Sequence, residues 1–393
     1  MRTRYSQDQQ AVAEAFGGLF AAEAAPEAVR AAEAGCGFDP GLWRTLAAAG
    51  AAGMAVGVEH GGAGASLTDL AVVVFEWGRR IAPVPLVEHA VTARLIASLA
   101  SGGAVDAETA ESAAASDPPA ANPTPHHANL AETAHRAAGT DYTAASPMPH
   151  HASLAELARA VAGGELIATL SLRPADEHGL ARLVPAGAVA HVVAALTGDT
   201  LVVAQDQPPG VSRPNTADLP LADRDLSGAA AAASGPAAVQ AWELALAEWK
   251  ALMAVAYAGL ASEALSMGVA YTAQRHQFGV PVGSFQAVQH GLADAATRCE
   301  GARLLAFRAV CALDAGRPDG GRLASMALLF GAESARFATD RVLQYHGGYG
   351  YSAEYDVQLY YRRAAGWLLQ LGEPGAEIAR LADAELGPKQ AAA

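Results

Sequence analysis

From Val239 to Arg275 the chain reads as one uninterrupted helix, and two further helical stretches, 282–315 and 322–346, follow it. Gly279-Val-Pro and Gly316-Arg-Pro separate the three, glycine and proline stopping one helix before the next begins. Successive long helices with short connections pack side by side, so residues 239–387 are expected to form a bundle of antiparallel helices. Composition agrees. Hydrophobic residues make up 52% of the chain and aromatics only 6%. The excess is alanine, which favours closely packed helices over sheet.

Upstream, residues 7–24 and 25–35 read as alanine-rich helices split by Pro26, and Gly41 to Ala49 as a third with Trp43 and Leu46 on one face. A short apolar run from Gly53 ends in a glycine cluster at Gly64, and Ser66-Leu-Thr-Asp69 caps a helix running to Arg80. From Glu165 the texture turns to short apolar runs separated by Pro and Gly, which reads as a small β domain over 164–228. Ala229 to Ala238 reads as a small-residue linker. The expected organisation is mostly α with a small β domain: a helical domain over 1–163, the β domain, then the bundle.

Residues 101–150 are rich in Ala, Ser, Pro, Thr and His and read as an insertion or surface excursion. They contain most of a short duplication, Pro123 to Ala134 against Pro147 to Ala158. Its histidine pairs, His126-His127 and His150-His151, are of a type that can bind metal. A tandem duplication in a tolerant loop explains them better, so no metal site is expected.

The formal net charge of −14 argues against nucleic acid or an anionic membrane as partner. Cys36, Cys299 and Cys311 are isolated, which speaks against a disulfide framework and a zinc site. The charged N-terminus leads into no apolar core of a signal peptide, and apolar runs such as Ala251 to Ala261 are too short to span a bilayer. A cytoplasmic location is the expectation.

Two motifs carry chemistry. In Arg275-His-Gln-Phe-Gly279, followed by Phe285-Gln286 and Leu292-Ala-Asp294, a guanidinium closes a helix beside a glycine turn. Such a group is suited to clamping a phosphate or pyrophosphate, and Phe278 offers an aromatic face. The plainer alternative is that Arg275 caps its own helix terminus. In Gln344-Tyr-His-Gly-Gly-Tyr-Gly-Tyr351, glycines 347, 348 and 350 leave the backbone bare where a flat or charged group approaches.

Together these motifs resemble those of the acyl-CoA dehydrogenase family. The order helix, "GVEHGGAGAS", helix with "EWGRRIAPVP" resembles that family's N-terminal domain, and "LARLVPAGAVAHVVAAL" its middle β domain. The resemblance implies an N-terminal helical domain, a middle β-barrel-like domain and a C-terminal four-helix bundle. It also implies an FAD-dependent oxidoreductase that forms an α,β-double bond in an acyl-CoA or acyl-carrier thioester. Arg275, Phe278 and Gln286 of one subunit would meet Gln344, Gly347 and Gly348 of a neighbour around the ADP moiety of FAD, in a homodimer or homotetramer. The family's Thr-Glu-Pro-x-x-Gly-Ser-Asp signature and later Trp-x-Thr/Ser are missing, although Thr169 and Ser171 fall where the first would begin.

In the resembling enzymes a glutamate abstracts the substrate α-proton while the flavin takes the β-hydride. One location for it follows an Arg-Asp-Ala segment. Counted from Arg362-Arg363-Ala364, that position is Leu371, which cannot accept a proton; Glu373 is two residues on. The other location, counted back from Arg275, is Trp249, with Glu248 beside it and rotated by about 100° on a helix. Glu248 and Glu373 are therefore the alternative candidates for the base, and each also reads as an ordinary solvated carboxylate. Three functions stay open: the dehydrogenase itself; an enzyme of secondary metabolism on this fold that has lost redox chemistry and acts as a cyclase or isomerase; or the non-catalytic partner of a heteromeric dehydrogenase.

Overall fold

The computed structural model describes residues 5–102 and 153–387. The histidine pairs and the first copy of the duplication lie outside the described residues. Helices α1 (Gln7–Glu23), α2 (Pro26–Glu33), α3 (Pro40–Ala48), α4 (Leu67–Arg80), α5 (Leu86–Ala100) and α6 (Leu154–Ala162) come first. Strands β1 (Ala168–Leu170), β2 (Leu180–Val184), β3 (Val192–Thr197), β4 (Thr200–Gln205), β5 (Ala222–Asp225) and β6 (Ala230–Ser234) follow. The rest is helical apart from a small hairpin, β7 (His276–Gln277) and β8 (Val280–Pro281). Its helices are α7 (Pro236–Gln274), α8 (Gln286–Asp314), α9 (Gly320–His346), α10 (Val357–Gly366) and α11 (Pro374–Leu386).

The capping signal at Ser66 is realised as a capping box: Ser66 Oγ accepts from the Asp69 amide, and the Asp69 carboxylate accepts from the Ser66 amide. The same helix start is capped from across the molecule. Asp314, the last residue of α8, accepts from the amides of Leu67 and Thr68, each at 2.9 Å. An anion at the positive end of α4 thus ties the N-terminal domain to the bundle.

α4 and α7 run together with almost no spacing between backbones. A Cβ on Gly78 would lie 2.3 Å from the Ala256 carbonyl oxygen, and one on Gly259 would lie 2.2 Å from that of Phe75. Only glycine at both positions lets this crossing form. The apolar run in α7, too short for a bilayer when taken alone, belongs to a helix long and apolar enough to span one by length and composition. In the fold, 67% of that helix's most apolar window is buried inside the molecule.

The β domain holds a four-stranded sheet in the order β1-β3-β4-β6 and a two-stranded sheet, β2-β5. β1 and β3 are parallel and the other pairs antiparallel. The stretch expected as a linker, Ala229 to Ala238, is mostly not one. Ala230–Ser234 is β6, paired along β4, and α7 begins at Pro236. Alanines carry little strand preference of their own, and the pairing with Leu201 to Val203 holds them extended. At the far end, Glu377 is the one buried side chain of α11 among the described residues. It meets the equally buried Lys250 of α7 at 2.8 Å.

Candidate functional site

Two motifs far apart in the chain meet at one end of the bundle. After α7 the β7–β8 hairpin turns through Phe278 (φ 54°) and Gly279 (φ 83°), both left-handed as a two-residue type I′ turn requires. Glycine adopts this freely, whereas phenylalanine does so at a cost of about 1–2 kcal/mol. Its ring is nevertheless 93% exposed, set edge-on to Phe285 at 6.2 Å. A strained, solvent-facing aromatic makes this turn a candidate functional surface. Arg275 is exposed, and among the described residues its side chain makes no hydrogen bond or ion pair, not even with the last carbonyls of α7.

The second motif arrives on α9. His346 is buried, its Nδ1–H donating to the Val342 carbonyl at 2.7 Å, and burial holds its pKa below the usual histidine value. Tyr271, one turn before Arg275, stacks on the His346 ring with centroids 3.9 Å apart. That stack joins the two motifs within one chain. Gly347 follows with φ 65° and ψ −148°, a conformation essentially reserved for glycine. A Cβ on Gly347 or Gly348 would meet nothing within 4 Å. Gln286 and Gln344 are exposed. An unpaired guanidinium, a presented aromatic face, two amides and bare backbone can hold a diphosphate with an attached flat ring.

On the β-domain side, Thr169 and Ser171 are buried, and their hydroxyls donate to the carbonyls of Pro185 and Arg173. Both hydroxyl protons are thus engaged within the β domain.

Between the N-terminal domain, the β domain and the bundle lies a clasp. Arg362 binds both oxygens of Glu33, at 3.0 and 2.8 Å, and also Asp218; Arg363, buried, meets Glu33 at 2.6 Å. Beside it sits a cavity of ≈ 40 Å³, walled in part by Glu88, Met253, Arg363, Trp367 and Gln370. That volume admits a few waters. Small-molecule pockets run to about 300–1,000 Å³. Trp77 and Trp367 stack at 5.2 Å on the cavity wall, with Tyr257 edge-on to Trp367 at 5.4 Å.

Leu371, where the family's base would stand, ends the 3₁₀ turn Leu368–Leu371 and is half-buried. Glu373 is exposed at the start of α11 and makes no capping bond. Glu248 is buried and held by Arg94 of α5, whose Nη1–H also bonds the Ala55 carbonyl at 2.8 Å. It borders a separate cavity of ≈ 250 Å³ together with Glu59, His60 and Ser101.

Glu88 and His89 carry chemistry that the sequence patterns did not single out. Glu88 is 6% exposed; Trp249 Nε1–H donates to its Oε1 at 3.3 Å, and burial raises its pKa. His89 is fully buried, accepts the Ala168 amide at Nδ1 (3.1 Å), and burial lowers its pKa to about 3. The available signal was an ionisable pair inside the otherwise apolar run from Ile81 to Val91.

The chain is similar to known proteins over most of its length. The acyl-CoA dehydrogenase N-terminal domain matches residues 6–104, and the acyl-CoA dehydrogenase C-terminal domain matches 240–373. Acyl-CoA dehydrogenase IpdE2 of Mycolicibacterium smegmatis is 30% identical over 384 residues, covering 96% of this chain and 98% of that one. Among solved structures, the Tcur3481-Tcur3483 steroid ACAD superposes with a TM-score of 0.74 at 26% identity, over 96% of this chain and 97% of that one. The ChsE4-ChsE5 complex of Mycobacterium tuberculosis shares the fold, with a TM-score of 0.70 at 20% identity, over 99% and 100% of the chains.

Proposed function

The chain belongs to the acyl-CoA dehydrogenase family, and from this we propose that it is the cofactor-sharing subunit of a heteromeric, FAD-dependent dehydrogenase of acyl thioesters, whose proton-abstracting glutamate comes from a sister chain. The observation that carries this reading is Leu371. No carboxylate stands at that position, and the cavity that the neighbouring Gln370 lines, at ≈ 40 Å³, is too small for an acyl chain. Glu373 faces solvent and Glu248 is committed to Arg94. The two-chain name of the Tcur3481-Tcur3483 relative supports a mixed assembly.

The residues at the bundle end fit the distal half of FAD. Arg275 would neutralise the pyrophosphate, Phe278 would lie against the adenine, and the backbone at Gly347 and Gly348 would approach the phosphates without a side chain between. Gln286 and Gln344 would supply the remaining polar contacts. FAD, when bound, supplies the hydride acceptor. The ring end is less provided for in this chain, because the Thr169 and Ser171 hydroxyls are already bonded internally.

The test is to purify the chain alone and together with a family chain carrying glutamate at the position of Leu371, then measure native mass and flavin content. Full flavin loading only in the mixed assembly supports the reading. A lone homo-oligomer that holds one FAD per chain counts against it.

A further inference from the structure

The ≈ 40 Å³ and ≈ 250 Å³ cavities lie along one seam. On α7, Ala245, Trp249 and Met253 are spaced four residues apart and so share a face. Ala245 lines the ≈ 250 Å³ cavity and Met253 the ≈ 40 Å³ cavity. On α5, Glu88 lines the small cavity and Leu95, two turns on along the same face, lines the large one. With a rise of about 1.5 Å per residue, the spaces are separated along α7 by one tier of side chains. Trp249 occupies that tier. It is fully buried, and its indole N–H is fastened to Glu88 on the facing helix.

We propose that Trp249 is a plug that divides a single potential acyl tunnel between α5 and α7 into two unconnected cavities, excluding long acyl chains from this subunit. The proposal rests on the reading of this chain as the non-catalytic subunit and adds the residue that enforces it. A tryptophan anchored at its polar edge cannot rotate aside without giving up its hydrogen bond and leaving a buried N–H unpaired. Burial raises the pKa of Glu88, the partner that holds the indole.

The test uses 11-(dansylamino)undecanoic acid, a fluorescent long-chain probe, with the full chain. The wild type is expected to show no saturable binding up to 100-fold above the dissociation constant of Trp249→Ala, which opens the tunnel. Trp249→Leu, a smaller excavation, is expected to bind the probe at least tenfold more tightly than wild type and serves if the alanine variant does not fold. Trp249→Phe keeps the tier filled and is expected to exclude the probe. Saturable binding by the wild type with the affinity of the opened variants overturns the proposal, as does failure of a folded leucine or alanine variant to bind. Neither result bears on flavin loading of the mixed assembly, so the plug can fail while the subunit reading stands.

Discussion

Arg94 grips Glu248 with two nitrogens: Nε lies 2.9 Å from Oε2 and Nη2 lies 2.8 Å from Oε1. The pair bridges α5 and α7 in a site where the carboxylate is almost wholly removed from water. A bidentate guanidinium engages both oxygens of the carboxylate and fixes its orientation towards α5. The geometry describes a structural tie between α5 and α7.

Glu248→Gln should therefore act on stability. It leaves Arg94 partly buried without its counter-charge, and the expected loss is about 2 kcal/mol, below the usual range for buried pairs because the guanidinium is partly open to solvent. Urea denaturation measures it. Turnover of the mixed assembly should fall by less than tenfold.

His89 gives the molecule an acid-side weakness. Its pKa in the fold is about 3, against 6.5 in an unfolded chain, so between those values the unfolded state binds one more proton than the native one. Stability should fall by about 1.4 kcal/mol per pH unit as pH drops from about 6 towards 3. In His89→Asn the amide oxygen can still accept from the Ala168 N–H but cannot titrate. Denaturant midpoints between pH 4 and 6 should show a slope reduced by one proton.

Glu88 works in the opposite sense. Its folded pKa is raised by burial, so its contribution is complete below the usual glutamate pKa and is lost as pH rises towards the folded value. Glu88→Gln keeps an acceptor for the Trp249 indole and removes the charge. The variant should match wild type near pH 4 and be more stable at pH 8, as read by thermal unfolding at the two values.

Phe278 separates conformational cost from function. Asparagine tolerates the left-handed conformation far better, so Phe278→Asn should raise the stability of the chain by about 1 kcal/mol. The same change removes the exposed ring and should lower flavin retention of the mixed assembly several-fold after gel filtration. A stabilised variant with undiminished flavin would show that the ring serves another purpose.

The long helices and the Ser66 cap could be read from the sequence because each rests on local spacing. A capping box spans four residues, and Arg275 to Gly279 ends a helix in the ordinary way. What escaped is long-range. Arg94 lies far from Glu248 in sequence, so nothing near Glu248 reveals that its carboxylate is taken. Glu88 sits on a helix whose neighbours are nearly all buried, so no polar stripe marks it as facing a cavity. β6 was read as a linker because a run of alanines shows no alternation of polar and apolar residues; its extended form comes from the partner strand.

The most direct test exchanges carboxylates within the mixed assembly and follows acyl-CoA-dependent reduction of ferricenium. Glutamine at the sister chain's glutamate, the one aligned with Leu371, should abolish turnover. Glu88→Gln, Glu248→Gln and Glu373→Gln combined in this chain should leave turnover within tenfold of wild type. Loss of turnover on the triple change, with the sister chain's glutamate dispensable, would place the base in this chain and contradict its assignment as the cofactor-sharing subunit.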